Sequence, residues 1–136
     1  MRVVLDPNVL IAALLSAGGT PARLLIRWLD GEFEVVVSES LLAEFRLACA
    51  YPKISRRVSA GAVDEMEALL RASAQLVVDP DTPPRRSPDP GDDYLVALAE
   101  AGSALLVSGD RHLLDLEAGN RILPPQAFLA LLDAAR

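Results

Sequence analysis

Short, nearly continuous apolar runs alternate along this chain with longer stretches whose apolar residues recur every three to four positions. The first run, residues 2–5, predicts a strand buried on both faces. Asp6-Pro7 then reads as a helix start, with Asp as N-cap and Pro at the first helical position. Val9 to Leu15 continue that helix to a stop before Gly18-Gly19. Thr20-Pro21 repeats the cap-plus-proline signal, Leu24, Leu25, Trp28 and Leu29 follow at helical spacing, and Gly31 stops the run. Residues 33–37 form the second predicted strand. Ser38 caps a third helix with Leu41, Leu42 and Phe45 on its inner face, and Pro52 ends it.

Residues 62–73 predict a further amphipathic helix, with Val63, Met66, Leu69 and Leu70 on one side, and residues 75–78 a third strand. The stretch 79–91 holds five prolines and one glycine and reads as a loop. A helix over 92–101 places Leu95, Val96 and Ala99 three, four and seven residues after Asp92, and Gly102 ends it. A strand at 104–107, a short helix around 111–116, a short strand at 121–123 and a C-terminal helix carrying Phe128, Leu131 and Leu132 complete the pattern. No internal repeat is present. Strands that alternate with helices throughout predict an α/β fold: a three-layer α/β/α sandwich around a central parallel sheet of four to five strands.

The length of 136 residues fits a single domain spanning 1–136, and 51% hydrophobic residues supply a core without disulfides. Cys49 is the only cysteine, which suits a reducing compartment, and it reads as a small core residue. The chain opens on a strand rather than on a basic-then-apolar leader, and no run approaches the roughly 18 apolar residues of a membrane span. A cytoplasmic protein is therefore expected. The net charge of −6 argues against a simple basic nucleic-acid footprint, although cations bound to the acids would cancel part of it locally. Twelve of the thirteen basic residues are Arg, a side chain suited to bidentate phosphate contacts. The pairs Arg56-Arg57 and Arg85-Arg86 read equally as such contacts or as solvated charge.

The chemistry lies in the acids. Asp6 follows the first strand, Asp110 follows the fourth with only Ser108-Gly109 between, and Asp92 opens the helix leading into that fourth strand. In parallel sheets ligands bind outside the carboxyl ends of the strands, where the strand order reverses. Carboxylates gathered there repel one another, and a divalent cation with a taste for hard oxygen, Mg²⁺ or Mn²⁺, relieves the repulsion. Each acid also has a plain local reading. Asp6, Asp92 and Asp110 could be N-caps, Glu44 could sit on a solvated helix face, and Asp89 and Asp93 compete with Asp92. Asn8 could orient Asp6 or a substrate. His112 is the only histidine, cannot build a zinc site of the usual kind alone, and reads as a surface or locally hydrogen-bonded residue. No hydrolase elbow, phosphate-cradling glycine loop or dinucleotide fingerprint is present.

Together these segments resemble the PIN domain family, of the kind found in VapC-type toxins of toxin–antitoxin pairs. VVLDPNVLIAALLS resembles the family's strand-Asp-x-Asn opening, and SESLLAEF the segment with its second acid. DDYLVALAEAGSALLVSGDRHLL resembles the span between its third and fourth acids, and RILPPQAFLALL its closing strand and helix. The likeness covers essentially the whole chain. It implies Asp6, Glu44, Asp92 and Asp110 as the acidic metal-binding and catalytic set, with Asn8, Ser108 and Asp93 in support. Pro7 stands where the family frequently has Thr or Ser, and the Asp89, Asp92, Asp93 cluster leaves the third acid open; Asp92 is preferred because Ala99 lies seven residues on.

The resemblance further implies a Mg²⁺- or Mn²⁺-dependent endoribonuclease that leaves a 5′-phosphate, an RNA substrate, a cognate antitoxin and a homodimer or higher homo-oligomer. Two alternatives stand beside it. One is a catalytically inactive PIN-like module that binds protein or RNA. The other is an Asp-based phosphotransfer domain, which would need a lysine near a later strand end. Lys53 is the only lysine, and Asn8 stands where the phosphatase version wants a second Asp.

Overall fold

The computed structural model describes residues 1–80, 93–116 and 121–136. Strands β1 (Arg2–Leu5), β2 (Glu34–Val37), β3 (Gln75–Leu76), β4 (Leu105–Val107) and β5 (Ile122–Leu123) form a five-stranded parallel sheet in the order β3-β2-β1-β4-β5. The α/β class and the parallel sheet agree with the alternation read from the sequence, at the upper of the two strand counts. Helices α1 (Pro7–Leu15) and α2 (Thr20–Leu29) join β1 to β2. Helices α3 (Glu39–Cys49), α4 (Pro52–Ser55) and α5 (Ala60–Ser73) lie between β2 and β3. Helix α6 (Asp93–Ala101) precedes β4, α7 (Arg111–Leu114) follows it, and α8 (Pro125–Ala135) comes last.

Successive strand side chains point to opposite faces, yet Val3, Val4 and Leu5 are all buried. Both faces of the sheet are therefore covered, which is why the run is continuously apolar rather than alternating. Strand order explains how. From β1 the chain steps outward to β2 and β3, then returns to β4 on the other side of β1 and steps outward again to β5. Right-handed crossovers in opposite directions put their helices on opposite faces. α1 packs on α2 and α3, α8 packs on α2, and α6 lies over β1 and β4. Phe33, just before β2, meets Phe128 of α8 edge-to-face at 5.0 Å between ring centroids.

Local signals account for most boundaries. Pro7 sits at the first position of α1, with Asp6 as the cap. Ser38 and Ser59 cap α3 and α5 through hydroxyls that accept from Leu41 N–H and Ala62 N–H. Gly31 has φ +82°, the left-handed conformation that ends α2 at low cost. Three expectations need correction. Gly19, not Thr20, is the N-cap of α2, and no side chain caps it. Pro52 does not merely stop α3 but opens α4, since proline's fixed φ suits a first helical turn. The third strand is two residues long rather than four, because β2 beside it ends at Val37 and Val78 is exposed. The loop expected over 79–91 lies almost wholly outside the described residues. Among the described residues, no single helix is long and apolar enough to cross a bilayer.

Candidate functional site

β1 and β4 are neighbours at the centre of the sheet, and the chain leaves them toward opposite edges. Their carboxyl ends therefore form the switch point where an open parallel sheet makes its crevice. The register aligns Leu5 with Val107. Two further backbone bonds carry the ladders past the strand ends, Asp6 N–H to Val107 O at 2.9 Å and Ser108 N–H to Leu123 O at 3.0 Å. Asp6 and Ser108 thus leave the sheet side by side.

Asp6 is 3% exposed and Ser108 is fully buried. The Ser108 hydroxyl donates to Asp6 Oδ2 at 2.7 Å and accepts from Asp110 N–H at 3.0 Å. A single buried oxygen thereby ties the two sequence-distant acids together. Asp6 Oδ1 accepts from Asn8 N–H at 2.9 Å, which is the capping bond of α1. Asp110 caps α7 in the same way, with its Oδ1 accepting from His112 N–H at 2.9 Å. Both capping readings of these residues hold. Burial pushes the Asp6 carboxyl above its ordinary value; the Asn8 N–H and the Ser108 hydroxyl pull it back, and the neighbouring Asp110 carboxylate pushes it up again.

The other expected site residues are placed as follows. Asn8 meets Asp6 through its backbone N–H, while its side chain is exposed, so the expected amide contact is replaced by a main-chain one. Glu44 is half-buried on α3, and its Oε2 accepts from the Tyr94 hydroxyl in the first turn of α6. That bond carries Glu44 to the residue beside Asp93, which is itself 4% exposed at the start of α6. Asp92 and Asp89 lie outside the described residues. Arg56 and Arg57 are exposed after α4, and Arg85 and Arg86 lie outside the described residues. The His112 side chain is 63% exposed with Nδ1 3.8 Å from Asp110 Oδ1, in keeping with a local role. Cys49 is buried, as expected of a core residue.

Tyr94 is the partner that the sequence reading missed. Its signal was present, because an aromatic with a polar tip beside an apolar helix stripe needs a hydrogen-bond acceptor once half-buried. Which acceptor it finds is a tertiary fact.

Hard carboxylate oxygens suit Mg²⁺ or Mn²⁺. Each Asp6 oxygen accepts one protein hydrogen bond and keeps a second lone pair. A cation beside Asp6 and Asp110 would also offset both the burial of one charge and its repulsion by the other. Among the described residues, no group of three Asp, Glu, His or Cys side chains converges closely enough to hold an ion, and Asp89 and Asp92 lie outside those residues.

Comparison with known proteins bears on the family and the fold. The model of the PIN domain matches residues 2–112. The uncharacterized protein MJ1680 of Methanocaldococcus jannaschii is 27% identical over 125 residues, which cover 90% of this chain and 79% of that one. The crystal structure of PAE2754 from Pyrobaculum aerophilum superposes with a TM-score of 0.66 at 18% identity, over 98% of this chain and 90% of that one. A PilT N-terminus domain protein, SSO1118 of Sulfolobus solfataricus, superposes at 0.58 and 16% identity, over 97% and 93%. At those identities the two structures speak for the fold alone.

Proposed function

The chain belongs to the PIN domain family, whose fold is of nuclease type, and on that premise we propose that it is a metal-dependent endoribonuclease acting as the toxin of a toxin–antitoxin pair. The observation that carries the reading is the joining of Asp6 to Asp110 through the buried Ser108 hydroxyl at the switch point of the sheet. Asp6 and Asp110 would hold Mg²⁺ or Mn²⁺, with Glu44 and Asp92 or Asp93 completing the acidic set. A divalent ion held there supplies Lewis acidity toward a phosphate oxygen and lowers the pKa of a bound water. The protein's share is positional. Ser108 locks the Asp6 carboxylate, the α1 cap fixes its second oxygen, and Tyr94 fixes Glu44.

A homodimer and a cognate antitoxin belong to the same reading. Ile26 and Leu29 on α2 and Leu47 on α3 leave apolar side chains exposed on the helices either side of β2. The phosphotransfer alternative gains nothing here, since Lys53 stands on α4 and not at a strand end. The inactive-module alternative is distinguished by metal binding, which it lacks.

One experiment separates the readings. Purified protein is incubated with labelled cellular RNA and Mn²⁺, with and without chelator, and cleaved ends are mapped. The expected result is chelator-sensitive cleavage that Asp6→Asn abolishes while its circular dichroism stays native. Full metal-dependent activity in Asp6→Asn would refute the assignment. Absence of saturable, Asp110-dependent Mn²⁺ binding in calorimetry would favour the inactive module.

A further inference from the structure

Two rows of side chains face each other where α2 packs on α8. Arg23, Ile26 and Arg27 share one side of α2, and Leu129, Asp133 and Arg136 share one side of α8 and its cap. Together they line an open pocket of about 200 Å³. α8 starts directly after β5 and α2 ends before β2, so these residues lie along the helices, away from the carboxyl ends of the strands where Asp6 and Asp110 sit.

The charges around the pocket do not balance. Arg27 is buried, and it donates from Nε to Glu32 at 2.5 Å and from Nη1 to Asp133 at 2.7 Å. Arg136 donates from Nη2 to the same Glu32 at 3.0 Å. Two guanidinium groups and two carboxylates thereby neutralise one another. Arg23 adds a third cation to the lining and has no carboxylate partner among the described residues. Arg27 Nη2 is also buried, with no hydrogen-bond partner in the protein. Buried donors ordinarily find acceptors, and a guanidinium has five N–H groups to satisfy. Counted by side chains, the pocket is short of one negative charge and of an acceptor.

The rest of the lining limits what can supply them. Ile26, which is 56% exposed, and the half-buried Leu129 add branched carbon surface beside the arginines. A carboxylate brings one charge and two oxygens that match a guanidinium edge. A phosphate dianion would exceed the surplus charge and approach Glu32 and Asp133 as well. The volume lies below the range of about 300–1,000 Å³ typical of sites for drug-sized ligands, which suits a group no larger than one side chain.

We propose that the α2–α8 pocket binds a monocarboxylate on a short, branched apolar stem, with Arg23 and Arg27 toward the carboxylate and Ile26 and Leu129 toward the stem. A free branched acid and the terminal carboxylate of a peptide ending in leucine share this chemistry. Nothing in the site depends on the nuclease reading.

The protein is stripped of metal, so that no acid can bind through a cation at Asp6 or Asp110, and is titrated at constant ionic strength while its amide resonances are followed by NMR. Isovalerate should shift the resonances around Ile26 and Leu129 saturably, with a Kd of about 1–10 mM, as befits so small a ligand. Isovaleramide, which has the stem without the charge, and inorganic phosphate, which has charge without the stem, should each bind about tenfold more weakly or less. Arg23→Gln should weaken isovalerate binding by about the same factor. Ile26→Asp, which sets a competing carboxylate one turn from Arg23, should do so too. Both positions are exposed, so the fold tolerates the changes. A tripeptide ending in leucine that binds more tightly than isovalerate, and loses that gain on amidation, identifies a chain end as the source; equal binding identifies the free acid.

Equal affinity for isovalerate and isovaleramide, equal or tighter binding of phosphate, or unchanged affinity in Arg23→Gln overturns the site. So does the lack of a saturable shift at about tenfold the expected Kd.

Discussion

Ser108→Ala probes the junction on which the site depends. The substitution deletes one buried oxygen and with it two bonds, the donation to Asp6 Oδ2 at 2.7 Å and the acceptance from Asp110 N–H at 3.0 Å. A bond to an ionised group contributes about 1.5–3 kcal/mol and a neutral one about 0.5–1.5, so a loss of about 2–4.5 kcal/mol is expected. Ser38→Ala is the matched control. Ser38 is equally buried two strands along the sheet, but its hydroxyl makes a single capping bond to Leu41 N–H, worth about 1 kcal/mol. Urea titration in chelator, followed by the fluorescence of the buried Trp28, measures both.

The pH dependence separates a lost carboxylate bond from lost packing. The Ser108 hydroxyl stabilises charged Asp6, so its removal raises the folded-state value of that carboxyl further above the unfolded one. The variant then takes up its proton at higher pH than wild type does. The deficit should therefore be fullest at alkaline pH and shrink as pH falls through the variant's raised value. A deficit no larger than that of Ser38→Ala, or one that grows on acidification, would refute the clamp.

Two other expectations follow from the charges. Asn caps a helix about as well as Asp, so Asp6→Asn keeps the bond to Asn8 N–H while removing a buried charge, and its amide N–H₂ then donates to the Ser108 hydroxyl, which changes from donor to acceptor. In chelator at pH 7–8 it should be more stable than wild type by about 1 kcal/mol, or a few degrees in Tm. A carboxyl raised in the folded state weakens the fold as pH rises, so the gap should close in acid; a Tm below that of wild type at pH 8 would contradict the argument. At the far side of the molecule, Arg27 and then Arg136 hold the Glu32 carboxyl down to about 2 from an ordinary 4.5. Its stabilising contribution is complete above pH 4.5 and is lost as pH falls toward 2, so acid titrations of wild type and Glu32→Gln should converge across that window. Curves that stay parallel there would show that the ion pairs contribute nothing.

What was legible in the chain is what local chemistry decides. Asp6-Pro7 marks the end of β1 and the start of α1 because an N-cap and a first-turn proline act within a few residues. Continuous burial of Val3, Val4 and Leu5 was readable from their lack of alternation. The third strand was over-read because Val77 and Val78 carry strand-forming side chains, whereas strand length is decided by a partner that ends at Val37. Glu44 shows the same limit at the site. Its helix was clear, but its acceptor role toward Tyr94 depends on α3 and α6 meeting across fifty residues of chain.

The acids were ambiguous in the sequence for a physical reason. An Asp after a strand and before a helix reads either as a cap or as a ligand. A carboxylate has two oxygens and more lone pairs than a cap consumes. Asp6 uses Oδ1 to cap α1 and offers Oδ2 to Ser108; Asp110 uses Oδ1 to cap α7 while its own N–H reaches the same hydroxyl. Capping supports the proposed metal role rather than competing with it, because it fixes the torsion that aims the remaining lone pairs. At Asp6 the two roles can be separated by experiment. Asn serves the cap but lacks the charge a cation needs, so Asp6→Asn should keep α1 and lose Mn²⁺ binding. An Ala at Asp6 should lose both.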